Sequence, residues 1–515
     1  MMRVLHVAFA ACLLLPLAAA TPTITFKATD RVVIVGGGPA GVHYSSLLAK
    51  KGMKNIKVLE ASDRVGGKSY TAIDDKYQAH EMGTVFALDT YTPIFNLANE
   101  YDPTNTRYNF AFSRPKYMAC MGESAGAKDN DPATNLDFPH YFLRTMMQHA
   151  PASLQANATH DELQALLTDQ VGRFIALHHR IFGIYPYGMP PRPANWSLID
   201  MTAMEFLTAN NLTAISGMFR FSQQQQGYGV LETIPAFYFL WWSHPDAVSK
   251  IMMAQDASTP CSYLYLNGFQ SIWKAIQQAH RQTVETIFGA TVTAVTRGAP
   301  KGTKPTVTYM DSLSGNSITL ECDHVVMAVD LSLYAKLVTD LTPDEKANFI
   351  GSYTASTFVT TLFDSLPSPV ETAAQIWHYR MTQGGRLSAL RNSKFTVEYR
   401  SQLEWGDLAD GRQTRVAYQY YDQPLATIHR DQAAPLLRKD LALAGMNAVA
   451  LWTQKYWNYF PRFTTDGLKQ GLPWKIWDMQ GDVKTTWIGS SVCFESALDV
   501  VTYNLNLIQR VHVVP

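Results

Sequence analysis

Gly36, Gly38 and Gly41 fall in the run Gly36-Gly37-Gly38-Pro39-Ala40-Gly41, and an acid, Glu60, follows 19 residues after the last of them. Glycines at this spacing do three jobs: a tight turn, a close approach of main chain to a diphosphate, and close packing of a helix on a strand. Pro39 and Ala40 complete the loop and lead into a helix, whose unpaired N–H groups and positive dipole end would face the phosphates. Glu60 can accept hydrogen bonds from both hydroxyls of an adenosine ribose. The chemistry in view is the binding of a dinucleotide.

A second loop of glycines and cations comes directly after the acid, in Glu60-Ala61-Ser62-Asp63-Arg64-Val65-Gly66-Gly67-Lys68-Ser69. Gly66 and Gly67 admit another close approach of backbone to phosphate, and Arg64 and Lys68 carry charge that can neutralise a diphosphate. A nicotinamide enzyme has no need of this second loop. There is no HExxH, no GxSxG and no metal-ligand spacing. His80 and the adjacent His178 and His179 read as structural, and no catalytic acid or base is nominated.

The elements that must hold these residues are legible around them. Arg31 to Val35 reads as a buried parallel strand. A helix follows with Ala40, Tyr44, Leu47 and Leu48 on one face and Gly52 as its stop. Ile56 to Glu60 reads as the next strand.

In this order, "VIVGGGPAG…VLEASDRVGGKSYT" resembles the opening of the FAD-dependent amine-oxidase superfamily, with its GxGxxG and E-A-x-x-R-x-G-G-[RK] patterns. The resemblance implies FAD as cofactor. The fold it implies is α/β, a Rossmann-type FAD-binding domain with an inserted α+β substrate domain. It carries FAD contacts onto Gly36, Gly38, Pro39, Ala40, Gly41, Glu60, Arg64, Gly67 and Lys68, and places Gly83 near the flavin ring. The stretch Asn267–Trp273 is similar to the family's return into the FAD domain, and Thr291–Val295 to the strand where the backbone of Val292 meets the adenine. Thr486–Ser490 is similar to the last FAD strand, with Gly489 at its end. The helix that starts at Ser496 would favour negative charge on the flavin's pyrimidine ring.

The pattern also departs from the family. Gly489-Ser490 stands where Gly-Glu or Gly-Asp is usual, and the flavin-facing Gly-Ala is absent from Cys493-Phe494-Glu495-Ser496-Ala497. Cys493 reads as a buried structural thiol in preference to a covalent flavin link. Amine oxidases carry a lysine that reaches the flavin through water. Tyr353 to Phe363 has none, and Val359 sits near the expected place. The segments "GYG-x-L-x-x-IPA-x-Y", "YFP" and "G-S-S-V-x-F-E-S" resemble the branch of polyenoic fatty acid isomerases and beta-cyclopiazonate dehydrogenase, which act on apolar or amphiphilic carbon skeletons. That branch implies hydride movement between an apolar unsaturated substrate and flavin N5, as an isomerase or a dehydrogenase. The alternatives are an amine or L-amino-acid oxidase that releases peroxide, and a secreted protein that retains FAD without turnover.

The chain of 515 residues is longer than one hydrophobic core usually supports. Expected boundaries are a signal peptide at 1–20, FAD-binding segments at 21–95, 266–335 and 471–515, and substrate-domain segments at 96–265, mostly helical, and 336–470. Lys plus Arg and Asp plus Glu are 43 each. That balance speaks against a nucleic-acid partner; the expected partner is a small apolar or amphiphilic molecule. Arg3, the apolar run Val7–Leu17 and Ala18–Ala20 before Thr21 read as a secretory signal, too short to span a membrane. With sequons at Asn157, Asn195 and Asn211, a secreted glycoprotein is expected. Cys120, Cys261, Cys322 and Cys493 leave one or two disulfides and four buried thiols equally open. Gln223 to Gln226 reads as a polar loop, and Ala236 to Trp242 as a core helix or the lining of a substrate channel. Nothing in the sequence fixes an oligomeric state.

Overall fold

The computed structural model describes residues 23–74, 78–109, 118–122, 128–155, 158–253, 262–298, 303–368, 370, 372, 374–392 and 412–515. Residues 1–20, Asn157 and Cys261 lie outside them. In chain order the strands that build the site are β1 (Arg31–Val35), β2 (Asn55–Leu59), β3 (Met118–Cys120), β4 (Val284–Ile287), β5 (His324–Met327), β6 (Tyr353–Ser365), β7 (Ala374–Ile376), β8 (Leu387–Asn392), β9 (Gln413–Tyr421), β10 (Ala448–Phe463) and β11 (Thr485–Trp487). The helices are α1 (Pro39–Lys50), α2 (His160–Phe182), α3 (Ala236–Trp242), α4 (Phe269–Ala279) and α5 (Ala497–Ile508).

Five strands form a parallel sheet in the order β4-β2-β1-β5-β11. Their apolar runs lack alternation because helices cover the sheet. Val32 to Val35 and Val325 to Met327 are all buried. Helix α1 packs against α4 and α5. This is the expected Rossmann-type architecture, read correctly from the strand, glycine loop and helix at its front. An antiparallel meander, Ala290–Thr296, Thr306–Asp311 and Ser317–Glu321, leaves the sheet beside Glu60. Its second turn falls at Ser314–Asn316, with Gly315 at φ 69°.

The second sheet has six strands in the order β10-β6-β9-β8-β7-β3, antiparallel except for the β7–β3 pair. Helices between residues 138 and 253 pack beside it. Helix α2 begins with a capping box between Thr159 and Glu162 and ends at Gly183, φ 75°. Helix α3 is buried along its whole length. Among the described residues no helix is long and apolar enough to cross a membrane. The thiols of Cys120, Cys322 and Cys493 are buried, and no disulfide joins them to one another among the described residues.

One face of the second sheet hangs on two consecutive carbonyls of the FAD-binding part. The Thr360 hydroxyl and the Trp457 indole N–H donate to the Met82 oxygen at 3.0 and 3.1 Å. The Tyr418 hydroxyl donates to the Glu81 oxygen at 3.0 Å, and Arg391 donates to the same oxygen. The carboxylate of Glu81 accepts from the Thr71 hydroxyl at 2.7 Å and from the Phe269 amide, at the start of α4, at 2.6 Å. Burial raises its pKa to about 7, against the opposing pull of Thr71, the Phe269 amide and Arg391. Because the folded pKa lies above the unfolded one, the native state holds the extra proton. The stability this gives is complete below the unfolded value near 4.5 and is lost as pH rises through 7. Glu81→Gln is therefore expected to flatten the fall in stability between pH 5 and 8, by at most about 3 kcal/mol. Urea unfolding at the two pH values checks it; an unchanged slope would refute the assignment.

Candidate active site

A cavity of about 450 Å³ opens between the carboxyl ends of the parallel sheet and the face of the second sheet just described. Its first part is made of the sequence-predicted loops. Gly36, Gly38, Pro39, Ala40, Glu60, Arg64, Gly67, Lys68, Gly83 and Gly489 all line it.

The glycines differ in what a side chain would meet. At Gly36, φ 110°, a Cβ would lie 2.8 Å from the Ala328 oxygen on the neighbouring strand connection. At Gly41 it would lie 2.0 Å from the Gly36 oxygen. Gly41 therefore supports the turn by packing and does not reach the cavity. At Gly38 the nearest neighbour would be the Gly67 Cα, 3.9 Å away. A Cβ on Gly67 would lie 3.1 Å from the Gly38 Cα, so the two bare backbones abut on one wall of the cavity, where a diphosphate can approach both. Arg64 lies beside them with Nη1 buried and without a partner. That orphaned donor, with the open glycine cradle and the carboxylate of Glu60, suits the phosphates and ribose of FAD. The Glu60 carboxylate is preset by the amides of Gly37 at 2.8 Å and Ser62 at 2.9 Å.

Two residues expected to contact FAD, Val292 through its backbone and Ser496 through the helix it starts, are not among those that line the cavity, although Glu495 and Ala497 beside Ser496 are. Val292 sits on the meander strand next to Glu60, where the Ala290 amide donates to the Glu60 oxygen at 2.9 Å, but its side chain does not line the cavity. Ser496 caps α5, its hydroxyl accepting from the Asp499 amide at 3.0 Å. Asp499 is buried with the Trp241 indole and the Tyr187 hydroxyl at 2.8 and 3.0 Å, and burial raises its pKa to about 6. Lys68 departs most from expectation. Its ammonium pairs with Glu495, from the segment before α5. Burial pushes the Glu495 carboxyl up, and Lys68 opposes that.

The second part of the cavity is apolar. Phe358, Ala374, Ala389, Leu390 and Trp457 come from the second sheet, Val85, Phe86 and Leu88 from the segment after Gly83, and Tyr228 and Trp242 from the helical part. The rings of Tyr228 and Tyr459 stack at 6.0 Å. Burial holds both phenols far above their usual pKa, so they stay neutral.

The readings of Val359 and of the glutamine run change here, and those of α3, Cys493, His178 and His80 do not. Phe358 and Thr360 face the flavin-binding part, so strand alternation turns Val359 to the opposite face, where it is fully buried. The Gln223–Gln226 run is not a polar loop: Gln223 ends a helix, Gln224–Gln226 form a 3₁₀ turn, and Gln223 and Gln224 are buried while Gln225 and Gln226 are partly buried. Gln223 donates to the Tyr228 oxygen at 2.9 Å, Gln224 accepts from the Leu231 amide at 3.2 Å, and Gln225 and Gln226 line the cavity. These amides serve the backbone of the turn at Gly227 and Gly229. Helix α3 satisfies both of its readings, since it is core throughout and its Trp242 reaches the cavity. The Cys493 thiol donates to the Gly489 oxygen at 3.2 Å, and burial holds its pKa up, as for an inert structural cysteine. His178 is buried against the Leu240 oxygen with its pKa lowered to about 3 by burial, and His80 binds Asp74; neither lines the cavity.

Known proteins share this fold. The chain is 23% identical over 542 residues to the polyenoic fatty acid isomerase of Ptilota filicina, covering 98% of this chain and 99% of that one. Amine oxidase B of Homo sapiens is 42% identical over 69 residues, 13% of each chain. Among solved structures, a CLA-producing fatty acid isomerase from P. acnes superposes with a TM-score of 0.67 at 18% identity, covering 94% of this chain and 99% of that one. A putrescine oxidase superposes with a TM-score of 0.59 at 16% identity, covering 94% and 98%. The family model described as flavin containing amine oxidoreductase matches residues 40–450. With this match over most of its length and a cavity shaped for FAD, the chain belongs to the flavin containing amine oxidoreductase family.

Proposed function

We propose that the protein is an FAD-dependent isomerase of polyunsaturated fatty acids, which moves hydrogen within one apolar chain. The carrying observation is the second part of the cavity. Its walls are mostly aliphatic and aromatic, Gln225, Gln226 and Arg391 also line the cavity, and the described acids that line it are already engaged. Glu60 holds the amides of Gly37 and Ser62, Asp330 holds Asn458, and Glu495 holds Lys68. An ammonium group entering this space would meet no waiting carboxylate, which counts against an amine substrate. By sequence the polyenoic fatty acid isomerase matches 98% of the chain and amine oxidase B 13% of it, while by fold a fatty acid isomerase and a putrescine oxidase each cover 94% of it, with TM-scores of 0.67 and 0.59.

FAD, when bound, supplies a hydride acceptor at its isoalloxazine N5. The chain supplies placement. Gly38, Gly67 and Arg64 would hold the diphosphate, and Glu60 the ribose. Phe358, Trp457, Leu390 and Trp242 exclude water and press an extended acyl chain into a fixed attitude. Tyr228 and Tyr459, neutral at all ordinary pH, offer ring faces to a diene without competing for its protons.

Secretion is part of the same reading. Asn195 and Asn211 are exposed, as glycan acceptors must be. Expressed as the full chain in a eukaryotic secretory host, the protein should appear in the medium, begin at Thr21 and lose mass on N-glycosidase treatment. Mixed anaerobically with linoleate or arachidonate, it should form conjugated diene without net flavin bleaching and, in air, without peroxide. Peroxide with an amine or amino acid, and no diene with any fatty acid, would overturn the proposal in favour of an oxidase.

A further inference from the structure

Lys68 and Glu495 form an ion pair on the cavity wall that the cradle for phosphates and ribose does not use. The ammonium lies 2.6 Å from one carboxylate oxygen and donates to the other at 2.8 Å. It also donates to the main-chain oxygen of Asn458 at 3.2 Å. The three N–H groups of the ammonium thus meet three oxygens, two of Glu495 and one of Asn458. Glu495 in turn accepts the Phe460 amide at 2.9 Å. The pair is layered. The acid's side chain is 4% exposed and the lysine's 30%, so the acid lies deep and the cation outward. Lys68 therefore ties together three segments far apart in sequence: the second glycine loop, strand β10 and the approach to α5.

Its position matters more than its strength. The Lys68 carbonyl abuts Gly83, and its ammonium stands 5.4 Å from the centre of the Tyr459 ring. This is the junction of the phosphate loops and the apolar wall. A dinucleotide whose diphosphate rests on the loops, and whose reacting ring meets an apolar substrate, must place that ring at the junction.

We propose that Lys68 sets the reduction potential of the bound flavin, and that Glu495 is a positioning residue that fixes the ammonium and tempers its field. Accepting a hydride adds negative charge to a ring in a water-poor site, where a fixed cation acts far more strongly than in water. The acid behind the ammonium weakens that field without cancelling it, because it lies deeper in the wall. Lys68 thus serves the ring and not the diphosphate, the role that its place in the glycine loop suggests. The proposal concerns holoprotein without substrate, so it stands or falls apart from the choice of fatty acid.

The test is an anaerobic potential titration of FAD-loaded protein against a reference dye, with FAD affinity measured alongside. Lys68→Met should lower the equilibrium constant for flavin reduction at least tenfold, about 30 mV for a two-electron couple, with FAD affinity little changed. Lys68→Arg should keep most of the wild-type potential. Glu495→Gln should move the potential the opposite way from Lys68→Met. A tenfold loss of FAD affinity with an unchanged potential in Lys68→Met would return the ammonium to the diphosphate and overturn the proposal. So would shifts of the same sign in Lys68→Met and Glu495→Gln, which a loosened, wetter wall would give. Should Glu495→Gln fail to fold, the two lysine variants decide, and equal losses in both would overturn it.

Discussion

Gly83→Ala is expected to purify with at least a tenfold lower flavin content than the wild type. An alanine Cβ at this position would lie 1.6 Å from the Lys68 carbonyl oxygen and 2.8 Å from its carbon. Both are main-chain atoms, so no rotamer change relieves the overlap. One of two loops must move, and both line the cavity. The loop before Gly83 has little freedom, since the Glu81 and Met82 carbonyls anchor side chains from β6, β8, β9 and β10. Overpacking of this kind costs about 1–3 kcal/mol even where side chains can adjust. Here the strain falls on the cofactor cradle itself. The visible flavin absorbance per polypeptide, before and after incubation with excess FAD, measures the effect. Gly172→Ala is the control. Nothing lies within 4 Å of its Cβ position on α2, and alanine there should add up to about 1 kcal/mol of helix stability. A yellow, stoichiometric Gly83→Ala protein with unchanged melting would mean that the cavity is not the flavin site.

The parts that were legible in the sequence share one property: their residues act together within a short stretch. The turn at Gly36, the packing at Gly41 and the acid at Glu60 span one strand–helix–strand unit, so spacing alone carries the geometry. The substrate side lacks that locality. The segment Tyr353 to Phe363 stood out through the resemblance, but a single step of register decides whether Thr360 or Val359 looks at the flavin-binding part, and alternation shows it only when a partner strand is known. Nothing in the residues around Lys68 announces Glu495, 427 positions away. The glutamines at 223–226 misled because a polar run is usually solvated, whereas these amides serve buried backbone. The signal that could have corrected it was nearby: Gly227 and Gly229, both at positive φ, make a turn inside an otherwise apolar stretch.

Arg297→Met is expected to destabilise the fold by roughly 3–5 kcal/mol, the cost of leaving a buried charge without its partner. Arg297 directly follows the first meander strand, and its side chain and that of Glu345 are both 0% exposed. It donates to Asp340 at 2.8 Å through Nε, to the Tyr334 hydroxyl at 2.8 Å and to Glu345 at 2.6 Å through Nη2. Burial pushes the Glu345 carboxyl up, but Arg297, the Thr342 amide and Tyr334 outweigh it, and the net shift is downward. In the wild type that depressed pKa gives stability above the unfolded value, lost as pH falls through the folded one. Without Arg297 the sign reverses: burial raises the carboxyl, and protonation now favours the native state. The gap between wild type and Arg297→Met should therefore be smaller at pH 5 than at pH 8 by urea unfolding. Replacing both partners, Arg297→Met with Glu345→Leu, should recover much of the loss, since an apolar pair needs no partner charge. The meander begins where the Ala290 amide meets the Glu60 oxygen, so the same variant should also weaken FAD binding through the ribose end. A gap that does not change with pH, together with a double variant no better than the single one, would show that the ion pair is not what holds the meander to the sheet.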